Sequence, residues 1–204
     1  MKKQNINQFV LGITGNIGCG KSTVAKMFRT KDALIINADK LAHRLYSVGS
    51  NAYQCLKKIF GPQILKSNKT IDRKKLAQSI FTKKENLNKL NKIIHPQLIK
   101  EIKEVIKNSK KKIIILDAAL IIEAGLKNIV DKLIVVTASK EQQILRSQKR
   151  LGFSKEMIVR IMKSQISQSI KSRFADFIID NSGSIEKTRK QVLVLRRTCG
   201  KVRY

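Results

Sequence analysis

The sequence is poor in the residues that mark secreted, membrane-spanning and disulfide-bonded proteins. Its 204 residues include three cysteines, two prolines and no tryptophan. An odd, scattered set of cysteines predicts no disulfide framework and favours a reducing compartment. No apolar run approaches the ~18 residues that a membrane-spanning helix needs. The polar N-terminal segment lacks the apolar stretch of a signal peptide. We therefore expect a cytoplasmic globular protein without membrane association.

Acidic residues are also scarce, since 14 of them face 43 lysines and arginines and leave a net charge of +29. A nucleic-acid-binding protein could have such a charge. However, the basic residues are mostly lysines spread along the chain, and aromatic residues make up only 5%. No arginine-rich tail with interleaved stacking residues is present. We favour solvated helix faces in a compositionally biased protein over a nucleic-acid partner.

The most informative segment is residues 15–22, GNIGCGKS, which fits the phosphate-binding pattern G-x-x-x-x-G-K-[ST] without mismatch. An apolar run from Phe9 to Ile13 precedes it and predicts a strand, whereas helical spacing follows Ser22. A strand, a glycine-rich loop and a helix together aim backbone N–H groups at an anion. The segment predicts a nucleotide site in which Lys21 reaches the outer phosphates and the Ser22 hydroxyl ligates Mg²⁺.

The rest of the chain alternates between strand and helix patterns, which predicts an α/β fold with a five-stranded parallel sheet. Residues 61–109 show helical spacing almost throughout and predict a helical insertion, in which Pro96 begins a helix or joins two helices. Further strands are expected near residues 33–37, 113–116, 133–136 and 177–179. The predicted division is a core of 1–60, 110–138 and 175–197, an acceptor-binding insertion of 61–109, a lid of 139–174 and a frayed tail of 198–204.

Two acidic residues follow predicted strands at the sheet edge where open α/β folds bind ligands. Asp39 could take a proton from a hydroxyl group that attacks a phosphate. It could equally cap the helix that follows the second strand. Asp117 could hold Mg²⁺ through water or contact local backbone, and the sequence favours neither interpretation.

Basic residues and one histidine are weaker candidates. Arg146 and Arg150 share a helix face because they are four residues apart, and Arg160 follows on the next helix. Cations on a lid would stabilise phosphoryl transfer, but solvated arginines fit this basic chain better on chemistry alone. His95 has no cysteine or carboxylate cluster around it, so we expect a cap of the helix begun at Pro96 rather than a metal ligand.

Residues 12–24, GITGNIGCGKSTV, resemble the segment G-L-T-G-G-I-G-S-G-K-S-T-V of dephospho-coenzyme A kinases. The resemblance extends from about Leu11 to Val194. The chain departs from the family's usual residues at Asn16, His43, Asn91 and Ala119. Other matching residues are Asp39, Phe60-Gly61, Ile71-Asp72-Arg73, Leu76, Phe81, His95-Pro96, Arg146, Arg150, Arg160, Gln165, Lys171, Ala175-Asp176, Ile179-Asp180-Asn181 and Gly183.

The resemblance implies a P-loop kinase of the nucleotide-kinase type, which transfers the γ-phosphate of ATP to the ribose 3′-hydroxyl of dephospho-coenzyme A. It implies that Asp39 is the general base, that Lys21 and Arg146 stabilise transition-state charge, and that Ser22 binds Mg²⁺ with the ATP phosphates. The ATP-binding residues that it implies are Gly15, Asn16, Ile17, Gly18, Cys19, Gly20, Lys21, Ser22, Thr23 and Arg146. The acceptor-binding residues that it implies are Thr14, Asp39, His95 and Pro96.

Two alternatives remain at this stage. One is a P-loop kinase for another small acceptor, such as a nucleoside monophosphate or shikimate. The other is a non-catalytic P-loop protein associated with nucleic acid, which the charge of +29 would suit.

Overall fold

Five parallel strands form the central sheet in the computed structural model, which describes residues 8–200. Their order across the sheet is β2-β3-β1-β4-β5. Ile13 of β1 and Asn37 of β2 are both in register with Asp117 of β3, so these strands end at one common edge. The strands are β1 (Phe9–Thr14), β2 (Ala33–Asn37), β3 (Ile113–Asp117), β4 (Lys132–Thr137) and β5 (Phe177–Asp180). The predicted five-stranded parallel sheet is thereby confirmed.

Helices cover both faces of this sheet, because strand side chains alternate between the two faces. Leu11 and Ile13 pack in one buried cluster with residues of α1 and α9. Val10, the residue before Leu11, packs in a second cluster with residues of α2 and α5. The helices are α1 (Lys21–Met27), α2 (Ala38–Leu45), α3 (Asn51–Phe60), α4 (Arg73–Ile80), α5 (Lys84–Asn108), α6 (Lys140–Leu151), α7 (Lys155–Ser164), α8 (Gln168–Ser172) and α9 (Ile185–Gly200).

A third buried cluster joins α3, α4 and the first half of α5. Its members include Leu56 and Phe60 of α3, which precede the predicted boundary of the insertion at residue 61. The division into core, insertion and lid therefore stays a prediction. The tail predicted for 198–204 also stays a prediction; α9 continues to Gly200, and residues 201–204 lie outside the described part of the chain.

The long helix α5 corrects the prediction for Pro96. The helix runs without interruption from Lys84 to Asn108, so Pro96 neither begins a helix nor joins two, and His95 caps none. A proline inside a helix costs about 3 kcal/mol. Here the helix packs on both sides of the proline, with Ile94 in the third cluster and Ile102 in the second. This burial offsets one missing backbone hydrogen bond.

The start of α2 corrects the capping interpretation of Asp39. The N-cap is Asn37, whose Oδ1 accepts a hydrogen bond from the backbone N–H of Lys40 at 2.8 Å. Asp39 lies in the first turn of the helix, where a carboxylate also suits the helix dipole. Its side chain is therefore not used as a cap.

Within residues 8–200, no helix combines the length and the apolar character needed to cross a membrane.

Candidate active site

The glycine-rich loop between β1 and α1 is shaped by close packing. Gly15, Gly18 and Gly20 have φ angles of 152°, 74° and 89°, which favour glycine. A β-carbon on Gly15 would lie 2.3 Å from the carbonyl oxygen of Val136, and one on Gly18 would lie 2.2 Å from that of Gln143. Larger residues are thus excluded from both positions. The loop backbone therefore has the conformation that a phosphate-binding cradle needs.

Lys21 and Asp39, both predicted as catalytic residues, face each other at the C-terminal edge of the sheet. The Nζ atom of Lys21 lies 4.0 Å from Oδ2 of Asp39. Lys21 is buried at the start of α1, whereas 53% of the Asp39 side chain is exposed. A buried cation therefore stands beside a carboxylate that an incoming substrate can reach.

Asp117, at the end of β3, completes the acidic side of this site. Its Oδ2 accepts a hydrogen bond of 2.6 Å from the side-chain amide of Asn37. Its Oδ1 is buried and has no hydrogen-bond partner among residues 8–200. Burial raises the pKa of Asp117, while the Ser22 hydroxyl and the Lys21 ammonium oppose that rise. A carboxylate beside Ser22 with one oxygen free is a donor set that suits a hard divalent cation.

Arg146 is anchored against the P-loop through Asn181. Its Nη1 donates to the carbonyl oxygen of Asn181 at 2.8 Å. The side-chain amide of Asn181 in turn donates to the carbonyl oxygen of Cys19 at 2.8 Å and accepts from Thr188 at 2.8 Å. Arg146 thus lies at the loop, as the resemblance implies, whereas Arg150 is exposed. Arg160 on α7 is exposed as well.

The segment that joins α7 to α8 also holds the P-loop. Gln165 accepts a hydrogen bond from the backbone N–H of Ile17 at 2.9 Å. The side-chain amide of Asn16, where the related family usually has glycine, donates to the carbonyl oxygen of Ile166 at 3.2 Å. Cys19 is fully buried in the loop, and burial raises the pKa of its thiol. Cys19 therefore fills space in the loop and is a poor nucleophile.

The predicted acceptor residues occupy different positions. The fully buried Thr14 donates its hydroxyl hydrogen to the carbonyl oxygen of Ala119 at 3.0 Å. His95 lies on α5. Burial lowers the pKa of His95, and the Glu123 carboxylate opposes this change. Pro96 lines an open groove along α5, shared with Ile99 and four charged residues, Lys100, Lys103, Glu104 and Lys107. In the described part of the chain, no hydrogen bond or ion pair joins His95 or Pro96 to the P-loop.

Sequence reasoning gave no role to Asn37, Glu123, Gln165, Lys171 or Asn181. Asn37 had a local signal, because asparagine at the end of a strand and before a helix favours an N-cap. Apart from Thr188, which is seven positions from Asn181, these partners of the other four are 43 to 162 positions away in the sequence. No spacing rule detects contacts of that kind.

The protein-family model described as dephospho-CoA kinase matches residues 9–187. The chain is 49% identical to the dephospho-CoA kinase of Aquifex aeolicus over 183 residues, which cover 89% of this chain and 93% of the relative. It is 39% identical to that of Carboxydothermus hydrogenoformans over 189 residues, covering 91% and 92% of the two chains.

Solved structures agree with these sequence relationships. The dephospho-CoA kinase from Campylobacter jejuni superposes with a TM-score of 0.65 at 31% identity, covering 96% of this chain and 98% of that one. TT1252 from Thermus thermophilus gives a TM-score of 0.77 at 27% identity, covering 97% and 100%. The shikimate kinase from Bacteroides thetaiotaomicron gives 0.53 at 13% identity, covering 94% and 98%, and this likeness concerns the P-loop kinase fold alone.

Proposed function

The chain belongs to the dephospho-CoA kinase family, and we propose that it transfers the γ-phosphoryl group of ATP to the ribose 3′-hydroxyl of dephospho-coenzyme A. The observation that carries this proposal is the arrangement of Asp39 and Lys21, whose Oδ2 and Nζ atoms are 4.0 Å apart beside the P-loop. Phosphoryl transfer to an alcohol needs a cation at the phosphate and a base at the hydroxyl group. A cytoplasmic location belongs to the same proposal.

The P-loop residues 15–23 supply the phosphate site. Loop N–H groups that are not already bonded within the chain, as those of Ile17 and Cys19 are, would donate to the phosphate oxygens. The Lys21 ammonium would neutralise charge that develops on the transferred group. Arg146 adds a second cation, because its anchor on Asn181 keeps the guanidinium beside the loop. Since these groups are fixed before the reaction, they need little reorganisation during it.

Asp39 is the proposed general base. Its carboxylate is accessible at the edge of the sheet, and its helix α2 packs against α5, which carries His95 and Pro96. It accepts the proton of the 3′-hydroxyl as the oxygen attacks the γ-phosphorus.

Ser22 and Asp117 are the residues that would hold Mg²⁺ together with phosphate oxygens. The free Oδ1 of Asp117 and the adjacent Ser22 hydroxyl fit this ion. Mg²⁺ held there would supply positive charge that offsets the charge of the phosphates. Asn37 holds the carboxylate in place by its hydrogen bond to Oδ2.

The acceptor side comprises Asp39, His95, Pro96 and the loop that Thr14 contacts. His95 stays neutral because burial lowers its pKa, so it can both donate and accept hydrogen bonds to a substrate. We also propose the division of labour expected from the sequence. In this division, the helices of residues 61–109 bind the acceptor, and the helices of residues 139–174 close over the phosphates.

An acceptor screen tests this function. Purified protein with ATP and Mg²⁺ is incubated with dephospho-coenzyme A, shikimate, AMP or no acceptor, and products are identified by mass spectrometry. We expect coenzyme A as the major product and little ADP release with the other acceptors. Faster turnover of shikimate or AMP would contradict the proposal. Tight, salt-sensitive RNA binding without any small-molecule phosphorylation would support the non-catalytic alternative instead.

A further inference from the structure

Lys171 is a charged side chain that the reaction described above does not use. It lies on α8 with an exposed fraction of 0%. Its Nζ donates to the carbonyl oxygen of Ala119 at 2.6 Å and to Oε1 of Glu123 at 2.8 Å. A buried ammonium is costly unless it is paired and hydrogen-bonded. Both partners lie in the loop that follows β3, so the charge holds that loop against α8.

The same loop is joined to the P-loop. The carbonyl oxygen of Ala119 accepts a second hydrogen bond, from the hydroxyl of Thr14 at 3.0 Å. Thr14 directly precedes the phosphate-binding glycines, and Ala119 is two residues beyond Asp117. The hydrogen bonds of Lys171 and Thr14 therefore fix the Ala119 carbonyl from two sides, close to the proposed cation ligands.

Glu123 extends the network towards the acceptor helix. Its Oε1 also accepts a bond from the backbone N–H of Ile166 at 3.3 Å. Burial lowers the pKa of His95 on α5, and the negative charge of Glu123 opposes that change. The Oε2 of Glu123 is buried without a hydrogen-bond partner within residues 8–200. The loop after β3 is thus the part of the site that reaches from the P-loop to α5.

We propose that Lys171 is a positioning residue, which through Ala119 and Glu123 fixes the loop after β3 and so sets the geometry of the acceptor side of the site. This inference rests on the proposed function. The ATP side has separate supports, namely the contacts of Gln165 with Ile17 and of Asn181 with Cys19. Loss of Lys171 should therefore impair use of the acceptor and spare nucleotide binding.

The test is steady-state kinetics of Lys171→Met, with both substrates varied, beside Lys190→Met as a control. Lys190 is an exposed lysine on α9, outside the proposed lid and the proposed acceptor helices. Methionine fills similar space but cannot donate to Ala119. A misplacement of about 1 Å costs roughly 100-fold in rate, so we expect kcat/KM for dephospho-coenzyme A to fall by about 10- to 100-fold. The Kd of a non-hydrolysable ATP analogue should change less than about 2-fold, and Lys190→Met should match the wild type.

A double variant, Lys171→Met with Glu123→Gln, separates positioning from charge compensation. It leaves no unpaired buried charge, so it is expected to fold even if the single variant does not. We expect the acceptor defect to persist, because the Ala119 carbonyl still lacks the hydrogen bond from Lys171. Recovery of wild-type kinetics would overturn the proposal and assign Lys171 to charge compensation alone.

Four further results would count against positioning. Equal losses in acceptor kcat/KM and in ATP-analogue affinity would place the defect in the whole site. Failure of both variants to fold, measured by thermal melting, would make Lys171 a requirement of the fold. Wild-type activity is measured first, and its absence with dephospho-coenzyme A would refute the proposed function and this inference with it. An active wild type with unchanged Lys171→Met kinetics would refute the inference alone.

Discussion

Replacing Asp39 by asparagine should separate catalysis from nucleotide binding. Asparagine keeps the shape of the side chain but cannot accept a proton from the acceptor hydroxyl. Loss of a general base lowers turnover by about 10²- to 10⁴-fold, which corresponds to roughly 3–5 kcal/mol in activation free energy. We expect kcat of Asp39→Asn to fall within this range.

The effect on ATP binding should be much smaller. Two unit charges 4.0 Å apart interact by about 1 kcal/mol in water and about 4 kcal/mol at an effective dielectric constant of 20. Because 53% of the Asp39 side chain is exposed, solvent screens the pair, and measured values for such pairs are about 0.2–1 kcal/mol. The affinity for ATP should therefore change by less than about 5-fold.

The assay combines steady-state kinetics with calorimetric binding of a non-hydrolysable ATP analogue. Asp32→Asn is the matched control, since Asp32 is an exposed aspartate in the turn before β2. Its kcat should stay within about 2-fold of the wild type. If kcat of Asp39→Asn also stays within about 3-fold of the wild type, far from the effect expected for a base, Asp39 is not the base. A similar loss in kcat and in analogue affinity would instead assign the residue to support of Lys21.

Three further predictions follow from the P-loop and the acceptor helix. Lys21→Ala should lower kcat at least about 10³-fold. Lys26→Ala, which alters an exposed lysine on the same helix, should retain activity. Comparable losses of kcat in both variants would contradict the P-loop assignment. Gly18→Ala should lower the melting temperature more than Gly125→Ala. Both glycines have positive φ, but of the two only Gly18 has backbone atoms where the new β-carbon would lie. Equal decreases in melting temperature would show that the loop can relax. His95→Gln should reduce the loss of stability on acidification from pH 7 to 5, as measured by denaturant unfolding. Burial lowers the pKa of His95 below its usual 6.5, so the unfolded chain binds more protons there and stability falls as the pH decreases; an unchanged pH dependence would contradict this.

Local sequence signals made it possible to predict the P-loop, the strands and the parallel arrangement of the sheet. The pattern of residues 15–22 and the apolar runs at 33–37 and 113–116 each depend on neighbours in the sequence. The prediction for Pro96 was wrong because the rule for proline is also local, whereas α5 is held by burial of residues on both sides of it. Tertiary packing outweighed the propensity of a single residue.

The candidate site shows the same division. Lys21 and Arg146 could be named from a motif and a resemblance, but the motif could not show that Arg146 is anchored through Asn181. The sequence left Asp117 open between a metal ligand and a backbone contact. Its Oδ1, which has no hydrogen-bond partner in the part of the chain that the structure describes, and the Ser22 hydroxyl beside it favour the first interpretation.

The sequence by itself determined the nucleotide-binding loop, the α/β class and the family, because each is encoded in the order and spacing of nearby residues. Only the tertiary structure decided which side chains meet at the site. It brings Asp39 to Lys21 and buries Lys171 between Ala119 and Glu123. These contacts arise when helices pack on the sheet and join residues that are 18 to 52 positions apart, so their geometry depends on the whole fold rather than on any segment.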